Sequence, residues 1–293
     1  MPSSIDCYLC LLRQSLEAAR FATNDEKIHQ NVVFSAMKLV LDSDSKTPPP
    51  ILGRAIHRLI KQTAGNDDPY RAEKERANRA MLDALDAMRC RVQSADDRLE
   101  TAVRLAIAGN SIDNALGVIK QSEIDKAFDA ALSIPINGPI DVLREKIAAA
   151  DSIFYLTDNA GEIVCDRLLI ELLTEDFGKN VTVAVRGKPI INDATRADAL
   201  AAGLDTLPDV EIIDNGNDGL GTFLNECSEE FLRHFTGDSL VISKGLANYE
   251  TLIDNADEYQ PKRIVYLFKA KCPFISHFAG TKLGDLVVRI VPE

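Results

Sequence analysis

The sequence changes its hydrophobic period near residue 150, and that switch limits the possible folds more than any single motif. Before it, apolar residues recur at helical spacing. Cys7, Cys10, Leu11, Ala18 and Phe21 share one face, and Ile51, Ala55, Ile56, Leu59 and Ile60 share another. The pattern over 99–108 ends at Gly109-Asn110, a helix-stop pair. From Asp151 onward, short β-rich runs (152–156, 181–185, 210–213, 240–243, 264–268 and 286–290) alternate with helical patterns (163–173, 194–202, 223–235 and, more weakly, 249–256). Near-continuous apolar strands interleaved with helices predict a mostly parallel α/β sheet covered on both faces. The expected organisation is an α-helical domain over 1–150 followed by an α/β domain over 151–293.

Charge narrows the partners. Lys and Arg total 33 against 45 Asp and Glu, a formal net charge of −12. A general nucleic-acid binder needs a basic stripe to replace phosphate counterions, and docking on an anionic membrane needs the same. Both are excluded as expectations. The apolar runs are too short to span a membrane, and the start MPSSIDCYLC has no basic n-region, so a cytoplasmic protein is expected. The six cysteines are thinly spread, unlike a secreted disulfide scaffold. No GxGxxG follows a strand, and GxxxxGK[ST], HExxH and GxSxG are absent. The four histidines lack ligand spacing.

In open α/β sheets, ligands bind beyond the carboxyl ends of the strands. Those ends read Thr157 to Glu162, Arg186-Gly187-Lys188, Asp214-Asn215-Gly216, Lys244-Gly245 and Lys269 to Cys272. Asp158-Asn159-Ala160-Gly161-Glu162 leaves a strand, turns at glycine and opens a helix. Its oxygens suit a hard divalent cation, and N–H groups at the helix start suit a phosphate. The competing reading is a helix cap by Asp158 or Asn159 with Glu162 in the first turn. The same two readings apply to Asn192-Asp193-Ala194-Thr195, where Asp193 could reach the same crevice. Lys244, and likewise Lys269 and Lys271, could present a point charge to phosphate. Cys7 and Cys10 lie on one helical face and read as small buried apolar residues, since a structural zinc needs two further ligands. If the helical part folds over the sheet, Cys272 becomes a third partner, for a second, softer metal or a redox gate.

Several segments together resemble one family, the metal-dependent damage-control phosphatases, in the microbial branch that carries cysteines. They are CYLC at Cys7–Cys10, DPYRAEKERAN at 68–78, AGNSID at 108–113, TDNAGE at 157–162, VRGKPIINDAT at 185–195, IIDNG at 212–216, SKGLANYETL at 243–252 and FKAKCP at 268–273. The resemblance implies a helical domain packed on a three-layer Rossmann-like domain, with a divalent metal (Co, Ni, Mn or Mg) between them. It implies Asp158, Asn159 and Asp193 as metal ligands and Lys244 on the substrate phosphate. Asn110 and Asp113 would close the site from the helical part. Leu246 and Asn215 depart from the family pattern, which bears on substrate preference.

The expected activity is hydrolysis of a phosphomonoester of a small metabolite, sugar-phosphate-like or nucleotide-like. Asp158, Asp193 and Lys244 would be catalytic, and Asn110, Asp113, Gly161 and Glu162 would hold substrate. Metal-activated water is preferred to an aspartyl-phosphate intermediate. Two other readings stand beside it: a non-catalytic Rossmann-like protein that binds a phosphorylated ligand, and a small-molecule methyltransferase, which would lack its glycine-rich loop.

Overall fold

Residues 3–44, 46–109, 121–253 and 264–291 are described in the computed structural model. The first half is helical, with local reasons for each boundary. Helix α1 (Ile5–Ala22) starts where Ser4 accepts a hydrogen bond from the Asp6 amide. Helix α2 (Glu26–Leu41) is capped in the same way by Asp25. Helix α3 (Pro49–Ala64) has proline in its first turn and stops at Gly65, which takes a left-handed conformation. These three helices bury Leu11, Ala18, Val32, Ala36, Ile56 and Ile60 against one another. Helices α4 (Arg71–Ser94), α5 (Arg98–Gly109) and α6 (Gln121–Ser133) follow, then the short strand β1 (Ile136–Asn137) and α7 (Ile140–Ala149).

The second half alternates: β2 (Ser152–Leu156), α8 (Glu162–Glu175), β3 (Asn180–Val185), α9 (Arg196–Ala201), β4 (Val210–Asp214), α10 (Glu229–Thr236), β5 (Leu240–Lys244), α11 (Leu246–Leu252), β6 (Ile264–Lys269), α12 (Pro273–Phe278) and β7 (Leu286–Val291). The sheet order is β1-β7-β6-β5-β2-β3-β4. Every pair is parallel except β6 with β7. Side chains alternate between two covering layers, as a period of two requires. Ile153 and Tyr155 of β2, Leu240 and Ile242 of β5, and Val265 and Leu267 of β6 face a core shared with α4, α5 and α8. Phe154, Val241, Tyr266 and Phe268 face the opposite layer, with Phe231, Phe235, Tyr249 and Ile275. The mostly parallel three-layer arrangement expected from the sequence is present. Two details differ from the sequence reading. Strand β1 is only two residues long, too short to show a period. The stretch 223–235 divides into a 3-10 turn (Leu224–Glu226) and α10, because Ser228 caps a new helix start at the Phe231 amide.

Strand β2 is central. The chain moves from β2 to β3 and β4 on one side, then crosses back to β5 on the other. This is the topological switch point where a crevice opens beyond the carboxyl ends.

One buried base sets an acid limit on the fold. His57 in α3 is buried, and burial, helped by the Lys61 charge, lowers its imidazole to about 4 from an ordinary value of 6.5. The unfolded chain therefore takes up this proton first as pH falls. The stability contributed by neutral His57 is complete above pH 6.5 and is lost as pH falls toward about 4. Urea unfolding across this range is expected to show His57→Leu losing less stability on acidification than wild type, by about 3 kcal/mol at pH 4. Parallel curves would show that His57 takes up its proton at the same pH in the folded and the unfolded chain.

Candidate active site

The loop after β2 is fixed before its side chains do anything. Thr157 donates from both its amide and its hydroxyl to Ala184 O, at 3.1 and 2.9 Å. Ala160 N donates to Asn192 O and Ala194 N to Asp158 O, both at 2.8 Å. These bonds pair Asn159 with Asp193 in an isolated antiparallel bridge. Two loops more than thirty residues apart are thereby locked edge to edge, with both acidic residues at the join.

Neither loop uses its acidic residue as a helix cap. Helix α8 begins after Gly161, and no side chain caps it. At α9 the capping box is formed by Thr195 and Asp198, whose carboxylate accepts from Thr195 N and Oγ1 at 2.8 and 2.7 Å. Asp158 and Asp193 are therefore buried, at 6% and 2% exposure, for another reason. Asp193 Oδ2 accepts from Arg186 Nε at 2.7 Å. Arg186 also donates to Asn248 Oδ1 at 3.0 Å, and Asn248 Nδ2 binds Thr157 O and Lys244 O at 3.0 and 2.8 Å. Asn159 turns Nδ2 toward Asp158 Oδ2 at 3.1 Å and Glu162 Oε2 at 3.4 Å. Its Oδ1 is thus the amide's remaining metal-capable atom.

The electrostatics fits a cation here. Burial pushes the Asp158 carboxyl well above the ordinary range, and the charges of Glu162 and Asp193 push the same way, opposed by Arg186 and Lys271. Burial also raises Asp193, against the pull of Arg186. Carboxylates that crowd one another out of water are a poor helix cap but a good cradle for a divalent ion. Among the described residues no group of three or more His, Cys, Asp or Glu side chains could hold a metal ion. The candidate donors at this join are two carboxylates and one amide, Asp158, Asp193 and Asn159. Gly245 makes room for it: at φ +81°, a Cβ built there would lie 2.0 Å from Asp158 Oδ2.

Lys244 lies elsewhere than the sequence reading puts it. Its side chain is fully buried, and Nζ donates to Ala106 O at 2.8 Å, Glu162 Oε1 at 2.6 Å and Asp166 Oδ1 at 2.5 Å. All three N–H bonds are directed into protein, so none faces a phosphate. Burial alone would favour the neutral amine, but Asp166 and Glu162 hold Lys244 charged, above the usual lysine range. Burial pushes Asp166 up to about 6 even with Lys244 beside it, and Tyr155 donates to the same oxygen at 2.8 Å. The helix-start amides are also engaged. Gly161 N donates to Asn78 Oδ1 at 2.6 Å, Glu162 N to Ala160 O at 2.8 Å and Ile163 N to Asn159 O at 3.1 Å. Besides Arg186, the cation that lowers Asp158 is Lys271, exposed beyond β6.

Asn110 and Asp113 lie outside the described residues. All six cysteines are free thiols. Partial burial raises the Cys7 thiol, and Cys272, Glu250 and Cys10 act in the same direction, so the three thiols share a neighbourhood. With no metal-holding group among the described residues, a second, softer metal there gains no support. Arg186, Asn78, Asp166 and Asn248 were given no role from sequence. Arg186, Asn78 and Asn248 sit inside the segments named above and Asp166 in the helical pattern that follows one, but the partner of each lies 7 to 83 residues away.

Residues 3–287 match the model of the damage-control phosphatase ARMT1-like domain. It is 36% identical over 291 residues to an uncharacterised protein of Methanocaldococcus jannaschii, covering 97% of this chain and 93% of that one. It is 33% identical over 289 residues to a damage-control phosphatase of Archaeoglobus fulgidus, covering 97% and 98%. The crystal structure of a DUF89 family protein from Pyrococcus horikoshii superposes with a TM-score of 0.86 at 31% identity, over 98% of both chains.

Lys244→Met would leave Glu162 and Asp166 buried without their counter-ion. Removing one partner of such a cluster costs about 3–5 kcal/mol, so denaturant unfolding should show a loss of that size. A variant as stable as wild type would mean that the ammonium does not hold the two carboxylates in the folded protein.

Proposed function

The chain belongs to the damage-control phosphatase ARMT1-like family, and on that premise we propose that it hydrolyses phosphomonoesters of small metabolites with a divalent metal held by Asp158, Asn159 and Asp193. The observation that carries this reading is the bridge of Asn159 with Asp193, which brings two uncapping, buried carboxylates and an amide to the switch-point crevice. When bound, a divalent ion supplies Lewis acidity toward phosphoryl oxygens and favours ionisation of water.

The chain's own residues do the rest. Arg186 fixes one oxygen of Asp193, so the other is presented in a single orientation. Glu162 and Asp158 accept from the Asn159 amide nitrogen and thereby aim its oxygen. Lys244 acts as a positioning residue: it holds Glu162 from behind. Lys271 takes the role first assigned to Lys244, offsetting charge on the phosphoryl oxygens from the exposed side. Burial of the carboxylates keeps water from screening these charges. The attacking group would be water rather than a side chain, since Asp158 and Asp193 would hold the ion and Asp193 is already engaged by Arg186. Helix α5 ends at Gly109, against Glu162 and Cys165 of α8, and the metabolite would enter between the helical part and the sheet. Any of cobalt, nickel, manganese or magnesium suits an oxygen-rich set of this kind.

Two experiments test this. Asp158→Asn and Asp193→Asn should each lower phosphatase turnover by about a hundredfold or more and weaken metal binding by calorimetry, with chelator abolishing wild-type hydrolysis of p-nitrophenyl phosphate. Hydrolysis indifferent to chelator would defeat the metal mechanism, and no hydrolysis with any of the four metals would favour a phosphate-binding protein. Lys271→Ala should lower kcat/KM by about tenfold to a hundredfold with an unchanged melting temperature. Full activity in that variant would remove Lys271 from the reaction.

A further inference from the structure

A groove of about 840 Å³ runs between α4 and the β3–α9 segment, beside the crevice described above. That volume is in the range of small-ligand sites. It shares a wall with the site. Arg186 lines the groove while donating to Asp193, and Asn78 lines it while accepting from Gly161 N. Asp158, Asn159 and Asp193 do not themselves line the groove; Arg186 and Asn78 are the residues through which it adjoins the site.

Most of the residues that line the groove are charged or polar. At its floor Lys74 is buried between Asp68, at 3.0 Å, and Asp198, at 3.6 Å. The Asp68 side chain is only 7% exposed, yet its Oδ1 has no hydrogen-bond partner. A buried carboxylate oxygen without a donor is costly, and a hydroxyl would satisfy it. On the rim, Arg71 and Arg79 project from α4, two turns and about 12 Å apart, both exposed. Neither guanidinium enters an ion pair or hydrogen bond among the described residues. Arg196 adds a third from α9, with one nitrogen on Ile212 O at 2.8 Å. Glu75 and Asp214 oppose them, and Asp214 Oδ1 already accepts from Gly216 N at 2.9 Å. In a chain of net charge −12, three rim guanidiniums, two of them unpaired, favour an anion at this place.

We propose that this groove receives the non-reacting half of the substrate, and that this half is a polyol carrying a second anionic group, as in a sugar bisphosphate. The inference rests on the phosphatase reading. Hydroxyls meet the Asp68–Lys74–Asp198 floor, and the second anion meets Arg71 and Arg79. The rim arginines hold the substrate without touching the reacting phosphate, so they determine specificity.

The test pairs glucose 1,6-bisphosphate with glucose 6-phosphate, using the metal-loaded full chain and the double variant Arg71→Ala/Arg79→Ala. Both positions are exposed on a helix, where alanine is well tolerated. Wild type should prefer the bisphosphate in kcat/KM by about tenfold or more, and the double variant should lose most of that preference. Calorimetric binding of glucose 1,6-bisphosphate to chelator-treated protein should weaken by a similar factor in the variant. Equal kcat/KM for the two sugars in wild type, or a ratio and affinity unchanged in the variant, overturns the proposal while leaving the phosphatase reading intact. Failure to hydrolyse either sugar or p-nitrophenyl phosphate counts against the phosphatase reading, and the calorimetric comparison then still decides the groove.

Discussion

A single buried ammonium joins the two halves of this molecule. Lys244 ends the strand beside the central one, and its three N–H bonds reach Ala106 O in the helical half and Glu162 and Asp166 on the first crossover helix. An ammonium this deep is tolerated only because every donor is matched and two carboxylates offset its charge. Each partner is then obliged to stay. Helix α5 must lie against α8, and α8 must begin where Glu162 can turn inward. The candidate metal loop immediately before α8 inherits its position from that requirement.

The site follows from a division of labour among polar groups. Thr195 and Asp198 cap α9, so Asp193 is released from capping and meets Arg186 instead. Gly161 starts α8 without a side-chain cap, its amide held by Asn78 from the helical half. Its positive φ, +73°, favours glycine, and a Cβ there would lie 2.9 Å from the Ala77 Cβ. With those duties assigned to neighbours, Asp158, Asn159 and Asp193 retain oxygens for a ligand. On the proposed reading the charge pattern follows as well: an acidic chain would draw phosphate locally, through a cation held by these oxygens and a few placed lysines and arginines, rather than through its overall field.

Much of this architecture was readable in the amino-acid order. Six of the seven strands were visible because a strand buried on both faces is nearly continuously apolar, as in Leu240 to Ser243. Strand β1 was not visible, since two residues carry no period. Asp158, Asn159 and Asp193 stood out because strand-end positions are few and chemically conspicuous. The role of Lys244 was not legible. A lysine at a strand's carboxyl end looks the same whether it points to solvent or to buried acids, and Glu162 and Asp166 lie 82 and 78 residues away. Lys271 and Lys244 were equivalent on paper, and only burial separated them. Arg186 was noted as a strand-end residue, but its partner carboxylate could not be chosen without the bridge between the two loops.

The sequence by itself determined the order of helices and strands, the parallel sense of most of the sheet and the short set of strand ends where chemistry could occur. These depend on hydrophobic period and local turn chemistry, which act over a few residues. Only the tertiary structure decided which acids share a crevice, which lysine is buried and which is exposed, and that a groove lined mostly by charged residues lies beside the site. Those outcomes turn on desolvation and on pairing between groups far apart in the chain, and neither has a local signature.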